Sequence, residues 1–178
     1  MKSALFFLLL SINLSLAQNQ FSTKIGLVAF EASIPGFEEV KAKSNDAICK
    51  LNIENGIIES TVFIKTLHFK LELMEEHFND NYLESKRYPK SIFKGKILDF
   101  NEGKITETEK EFIVKGTLEL HGKTQNISVV AFIKKQGKKI FFRTKFFINV
   151  DDYDVKIPNL VSNKVSNKVE VIAEYTLN

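Results

Sequence analysis

The sequence predicts an all-β fold in which antiparallel strands form a sheet that closes on itself or folds into a sandwich. About nine runs of residues alternate between apolar and polar side chains, the period of a strand with one buried face. Short turn signals, many containing glycine, separate most of these runs, as expected for antiparallel neighbours. The chain has 16 phenylalanines and no tryptophan, and many of the phenylalanines fall on alternating positions.

The first 17 residues are interpreted as a signal peptide. Lys2 precedes an apolar run of about ten to thirteen residues, and Ser15 and Ala17 occupy the small-residue positions of a cleavage site. The run is too short to span a bilayer, which takes about 20 residues. The predicted mature chain begins at Gln18, with no cysteine for a lipid anchor. We therefore expect an exported protein, periplasmic or secreted, with one domain over residues 18–178.

Four strand candidates occupy the first part of the mature chain: residues 21–33, 37–43, 46–54 and 57–69. Asn55-Gly56, between the last two, is the strongest hairpin signal of the sequence, because this pair favours the tight turn of a β-hairpin. The single cysteine, Cys49, alternates with apolar neighbours. We expect it to be a buried, unreactive side chain.

One segment departs from the two-residue period. Leu71, Met74 and Phe78 share one face of a helix over residues 71–79, with glutamates largely opposite. The sequence therefore predicts one short helix here. A loop follows and ends at Tyr88-Pro89, whose restricted backbone precedes the next strand.

Five strand candidates follow the helix: residues 92–101, 111–120, 123–135, 138–150 and 169–177. In the fourth of these, Phe142 and Phe146 share one face, whereas Arg143 and Lys145 share the other. We expect the phenylalanine face to point inward, because burying two unpaired charges costs more than exposing two apolar rings. Residues 151–167, with three aspartates and most of a doubled SNKV, are expected to be irregular.

Residues 75–95, EEHFNDNYLESKRYPKSIFKG, contain a His-apolar pair that leads into a short helix, then a Tyr-Pro pair and a strand. Residues 115–133, KGTLELHGKTQNISVVAFI, contain a hairpin of the form G-x-L-x-L-x-G-x-(S/T). These two segments resemble the most diagnostic stretches of the YceI-like family. The resemblance extends from about Phe21 to Leu177. It implies an antiparallel eight-stranded, lipocalin-like barrel with one short helix, and a lumen that binds a long apolar molecule such as a polyisoprenoid or isoprenoid quinone.

The chain departs from the family pattern at two places. Many members have an Arg-Asp pair shortly before the histidine, where this chain has Leu73 and Met74. Many also have Asn-Arg-x-(Asp/Glu)-(Phe/Tyr)-Gly after the late strand, where this chain reads NVDDYD over residues 149–154. If the absent arginine holds a polar head group in other members, this chain takes a different head group or none.

The candidate ligand-binding residues lie on the inward faces of the predicted strands. A barrel of eight strands is either filled by its own side chains or holds one small ligand, and the residues alone leave both alternatives open. The resemblance favours a cavity. The candidates are Phe63, Leu118, Leu120, Ile127, Val129, Phe142, Phe146 and Ile148.

The sequence contains no recognisable catalytic or metal-binding motif. HExxH, GxSxG and CxxC are absent, and the histidines His68, His77 and His121 fall on separate elements. The aspartates of residues 151–154 lack the glycine and glutamate of a calcium loop. We therefore expect no enzymatic activity, no metal and no cofactor, unless a bound isoprenoid or quinone-like lipid is counted as one.

The formal charge is small, +3 from 25 basic and 22 acidic residues, and both signs are interspersed, so no nucleic-acid partner is expected. The leading hypothesis is an exported protein that carries or sequesters an apolar isoprenoid or fatty-acid-like lipid. The alternative is a ligand-free envelope module, in which a packed barrel serves as a scaffold that contacts a membrane protein or the membrane surface. A third hypothesis, a secreted hydrolase, has no nucleophile motif to support it. The sequence does not determine the oligomeric state.

Overall fold

The computed structural model describes residues 19–178, so the predicted signal peptide lies outside the described residues. The described part of the chain contains nine strands: β1 (Gln20–Ser33), β2 (Lys41–Asn52), β3 (Ile57–Phe63), β4 (His68–Phe69), β5 (Lys90–Ile97), β6 (Lys110–Leu120), β7 (Lys123–Gln136), β8 (Lys139–Asn149) and β9 (Val165–Leu177). One α-helix, α1 (Glu72–His77), continues into a π-helical turn (Phe78–Tyr82). Within residues 19–178, no helix has the length and hydropathy of a membrane-spanning segment.

The strands form one antiparallel sheet that closes into a barrel. The order around the barrel is β1-β9-β8-β7-β6-β5-β3-β2, and β2 pairs back with β1. The two-residue strand β4 adds to β2 at Ala42 and Lys43, beyond the end of β3. The predicted eight-stranded antiparallel barrel with one short helix is confirmed, and closure leaves the eight barrel strands without an unpaired edge.

Several predicted boundaries differ from the structure because the backbone bulges or turns within a run. The candidates at residues 37–43 and 46–54 form the single strand β2. The buried side chains of β2 change phase between Ser44 and Ala47, where the pairing with β1 also shifts register. The candidate at residues 57–69 divides into β3, a 3₁₀ turn and β4. The Thr66 hydroxyl donates to the Phe63 carbonyl at 2.8 Å and stabilises that turn.

The two ends of the barrel differ in how they are filled. We call the end that contains the start of β1 the closed end, and the end beside α1 the helix end. Side chains at the closed end pack into a continuous, fully buried core, which comprises Cys49, Leu51, Ile97, Val114, Ala131, Ile133, Ile140 and Leu177. Cys49 is buried as predicted, and burial raises the pKa of its thiol to about 12.

Gly26 allows a large side chain to cross the barrel between the two ends. A Cβ atom at Gly26 would lie 2.3 Å from Cδ1 of Tyr175, so the ring of Tyr175 occupies the space that any other residue would need. The Tyr175 hydroxyl lies 2.6 Å from the Ser60 hydroxyl, and both side chains are buried. This contact marks the boundary between the packed core and the space above it.

A candidate apolar ligand site at the helix end of the barrel

An apolar cavity of about 160 Å³ occupies the helix end of the barrel. Seven of the eight barrel strands, all except β2, contribute to its wall, because every second side chain of a strand points inward. Seven of the predicted ligand-binding residues line this cavity: Leu118, Leu120, Ile127, Val129, Phe142, Phe146 and Ile148. The structure thus places seven of the eight candidates around one space.

Phe63, the eighth candidate, lies outside this group. Ile58, Ser60 and Val62 are the inward residues of β3, so the next side chain points away from the lumen. Phe63 is 37% exposed, and the ammonium of Lys90 lies 5.3 Å from the centroid of its ring. Phe63 is therefore not part of the candidate site.

The helix end of the cavity is bordered by residues that are not on barrel strands. We call residues 78–88 the helix-side cover and residues 150–155 the loop-side cover. Phe78 and Leu83 of the helix-side cover line the cavity, as do Val150 and Val155 of the loop-side cover. Phe78 also stacks on Phe30 of β1, with ring centroids 5.3 Å apart. A ligand that entered from this end would therefore pass between apolar side chains.

The hydroxyl groups in the wall of the cavity already have hydrogen-bond partners. Ser60 and Tyr175 bind each other. Ser91 and Thr144 each donate to a backbone carbonyl of a neighbouring strand, at 3.0 and 2.7 Å. Among residues 19–178, no charged side chain lines the cavity. The wall therefore favours an apolar group over a polar one, because a buried polar group would lack a ready partner.

Burial also keeps the one phenol of the wall neutral. It raises the pKa of Tyr175 well above its ordinary value; the nearby Cys49 adds a smaller increase, and the hydrogen bond between Tyr175 and Ser60 acts in the other direction. Tyr175 therefore contributes no charge to the cavity near neutral pH. The chemistry of the wall is that of hydrocarbon and aromatic rings.

Several residues of the cavity wall are not among the candidates predicted from the sequence. Val28 and Phe30 on β1 are among them, since the register shifts around Gly26 break the simple alternation of this strand. Phe93 on β5 is another, although its period-two spacing with Ser91 was a usable signal. From β9, the wall residues Val169, Val171, Ala173 and Tyr175 lie on one alternating face of the sequence, which was identified as a strand but not as a binding surface.

Known proteins resemble this chain in sequence and in structure. The model of the YceI-like domain family matches residues 17–177. No curated protein matches the chain. A polyisoprenoid binding domain from Saccharophagus degradans, implicated in plant cell wall breakdown, has a similar structure with a TM-score of 0.77 and 14% identity, covering 90% of this chain and 98% of that one.

Two further structures show the same barrel. Burkholderia cenocepacia BcnA is similar with a TM-score of 0.69 and 14% identity, covering 86% of this chain and 96% of that one. A Campylobacter jejuni YceI protein is similar with a TM-score of 0.60 and 17% identity, covering 80% of this chain and 88% of that one. These identities establish a shared fold only. Because the family model also spans nearly the whole sequence, the chain belongs to the YceI-like family.

Proposed function

We propose that this protein is exported and carries or sequesters a lipid, an isoprenoid or a fatty-acid-like molecule, by enclosing its apolar tail in the helix-end cavity. The observation that carries the proposal is the cavity itself, whose wall is apolar and uncharged. The polyisoprenoid binding domain of Saccharophagus degradans has the same fold and supports an isoprenoid as one candidate.

The volume of the cavity limits how much of a ligand it can enclose. An apolar protein cavity of about 150 Å³ is large enough to bind benzene. The 160 Å³ found here therefore suits a group of about one or two isoprene units, unless wall side chains move. A longer tail would extend through the helix end. A polar head group, which has no free partner in the wall, would also lie at this end.

The energy of burial is sufficient without a specific polar contact. Burying a CH₂ group contributes about 0.8 kcal/mol, so one five-carbon isoprene unit contributes about 4 kcal/mol before the costs of association are subtracted. Two units would contribute about twice as much. Affinity should therefore rise with tail length until the cavity is full, and then rise more slowly.

Extraction of the protein purified from its native host tests the proposal. Organic solvent followed by mass spectrometry should release a stoichiometric apolar lipid, and the emptied protein should take up geraniol or farnesol in preference to a short alcohol such as ethanol. A protein that contains no lipid and binds none of these alcohols would instead support the alternative, a ligand-free scaffold. The packed closed end is the feature that favours this alternative.

A further inference from the structure

His121 connects the two covers of the cavity. It occupies the tight turn between β6 and β7, and its side chain is only 12% exposed. Its Nε2 atom lies 2.9 Å from a carboxylate oxygen of Glu84, in the helix-side cover. Its Nδ1 atom lies 3.1 Å from the backbone carbonyl oxygen of Tyr153, in the loop-side cover. A single imidazole ring therefore bridges two segments that are distant in sequence.

The same three positions are adjacent to the wall of the cavity. Leu120 precedes His121, Leu83 precedes Glu84, and Val155 follows Tyr153 by two residues. Leu120, Leu83 and Val155 all line the cavity. Movement of either cover away from His121 would therefore displace a side chain of the wall.

The bridge requires a proton on each ring nitrogen. Both partners of His121 are oxygen atoms. When Glu84 is ionised, neither of them can donate a hydrogen bond, so both must accept one from the ring. A neutral imidazole carries one N–H group, whereas the imidazolium carries two. A neutral ring would place a nitrogen lone pair against an oxygen of one cover, and that hydrogen bond would be lost.

We propose that His121 is a pH-sensitive latch of the cavity. As imidazolium, it holds the helix-side cover and the loop-side cover together and slows the exchange of ligand. When the ring loses a proton, one cover is released and exchange becomes faster. The effect on ligand exchange rests on the proposed lipid-binding function, whereas the release of a cover does not.

The other polar groups around the ring do not link one cover to the other, although Gln125 of β7 donates to the Asp152 carbonyl at 2.7 Å and holds the loop-side cover against the hairpin. The Tyr88 ring packs against His121 with centroids 4.6 Å apart. On the Tyr88 ring, the Arg87 guanidinium carbon lies 5.0 Å from the ring centroid. Lys123 and Asp154 form an ion pair with each other at 2.8 Å. Burial raises the pKa of the Tyr153 phenol to about 12, with the neighbouring charge of Asp152 a smaller contribution, so this phenol stays neutral while histidines titrate.

Two substitutions should change the hydrogen bonds of His121 without disturbing the fold. His121 and Gly122 both have positive φ, 51° and 72°, and Asn-Gly is a favoured pair in such a turn. His121→Asn should therefore keep the turn and remove the bridge. Glu84→Gln should keep the bridge when the ring is neutral, because the amide can donate to Nε2 while Nδ1–H still donates to the Tyr153 carbonyl.

The first test uses the protein without a ligand. The ¹⁵N resonances of the His121 ring and the methyl resonances of Leu83 and Val155 are followed by NMR between about pH 5 and 8, where histidines change charge. We expect a doubly protonated ring at low pH and methyl shifts that change together with it. Methyl resonances that do not change while the ring titrates would overturn the latch, whether or not the protein binds a lipid.

The second test measures release of a neutral probe, a geranyl ether labelled with nitrobenzoxadiazole. For the natural sequence, dissociation should be about tenfold slower at pH 5 than at pH 8. His121→Asn should be fast at both pH values, and Glu84→Gln should be slow at both. His77→Asn, which alters an exposed histidine, should behave as the natural sequence.

Different outcomes of the two tests contradict the latch and the proposed lipid-binding function. A pH dependence of release that persists in His121→Asn would overturn the latch while leaving lipid binding intact. A probe that binds to none of the variants would contradict the proposed function, and the NMR titration would then decide on the latch alone.

Discussion

Replacing Phe146 with aspartate places a carboxylate in the wall of the cavity. Phe146 lies on the inward face of β8 at the helix end and is partly exposed to the cavity. An apolar tail that fills this space would remove water from the carboxylate, and the loss of its hydration opposes binding. We expect the affinity for a geranyl probe to fall by tenfold or more, which corresponds to about 1.4 kcal/mol or more.

The Phe146→Asp variant should remain folded. In the absence of ligand the cavity has room for water around the carboxylate, so the cost of the substitution should stay below the 5 to 15 kcal/mol that typically stabilises a domain. Ile140→Asp provides the contrast on the same strand face, because Ile140 is fully buried in the closed end with no such space. That variant should lose several kcal/mol and largely unfold.

Phe147→Asp is the matched control for the chemistry of the substitution. Phe147 is the next residue of β8, points outward and is 53% exposed. Binding of the probe by fluorescence and thermal unfolding by circular dichroism are measured for all three variants. Unchanged binding in a folded Phe146→Asp protein would refute our location of the ligand, and unfolding of Phe146→Asp would indicate that the helix end is a packed core.

Three further predictions concern the closed end, the barrel centre and export. Because burial raises the pKa of Cys49 to about 12, a maleimide should modify this thiol slowly in the native protein and rapidly in denaturant; equal rates would contradict its inward position. Gly26→Ala should displace the Tyr175 ring and destabilise the protein by about 1–3 kcal/mol in urea unfolding, and an unchanged midpoint would show that the ring has room to move. Intact-mass analysis from the native host should give a mature N-terminus at Gln18, whereas a retained Met1 or a lipid modification would contradict the predicted cleavage.

The strands with an uninterrupted alternation were the most predictable. The inward faces of β6, β8 and β9 follow directly from their period of two, and the structure confirms that the Phe142 and Phe146 face of β8 points inward. The charges of Arg143 and Lys145 identify the outward face of β8, because burying two unpaired charges would be costly.

The strands with bulges could not be assigned from periodicity. In β1 the register shifts on either side of Gly26 change which side chains face the lumen, so Phe30 was not recognised as a wall residue. Phe63 does not line the cavity, because it follows the inward Val62 and adjacent residues of a strand point to opposite faces. The closing pair of β1 and β2 was nevertheless consistent with the predicted barrel.

The sequence left open whether the barrel is filled by its own side chains or contains a cavity, and the structure shows one of these at each end. The closed end is packed by its own side chains, and the helix end contains the cavity. The difference depends on Tyr175, whose ring crosses the barrel over Gly26. Such a contact joins residues about 150 positions apart and leaves no local signal in the sequence.

Contacts between a bound lipid and the methyl groups of the barrel reveal whether the lipid lies in the helix-end cavity. In NMR spectra of the protein with farnesol, we predict intermolecular NOEs from the lipid chain to methyl groups of Leu118, Ile127 and Val171, which line the cavity. Methyl groups of Ile140 and Leu177 in the closed end should show none. Binding of farnesol with no NOEs to the cavity methyl groups would place the lipid outside the cavity.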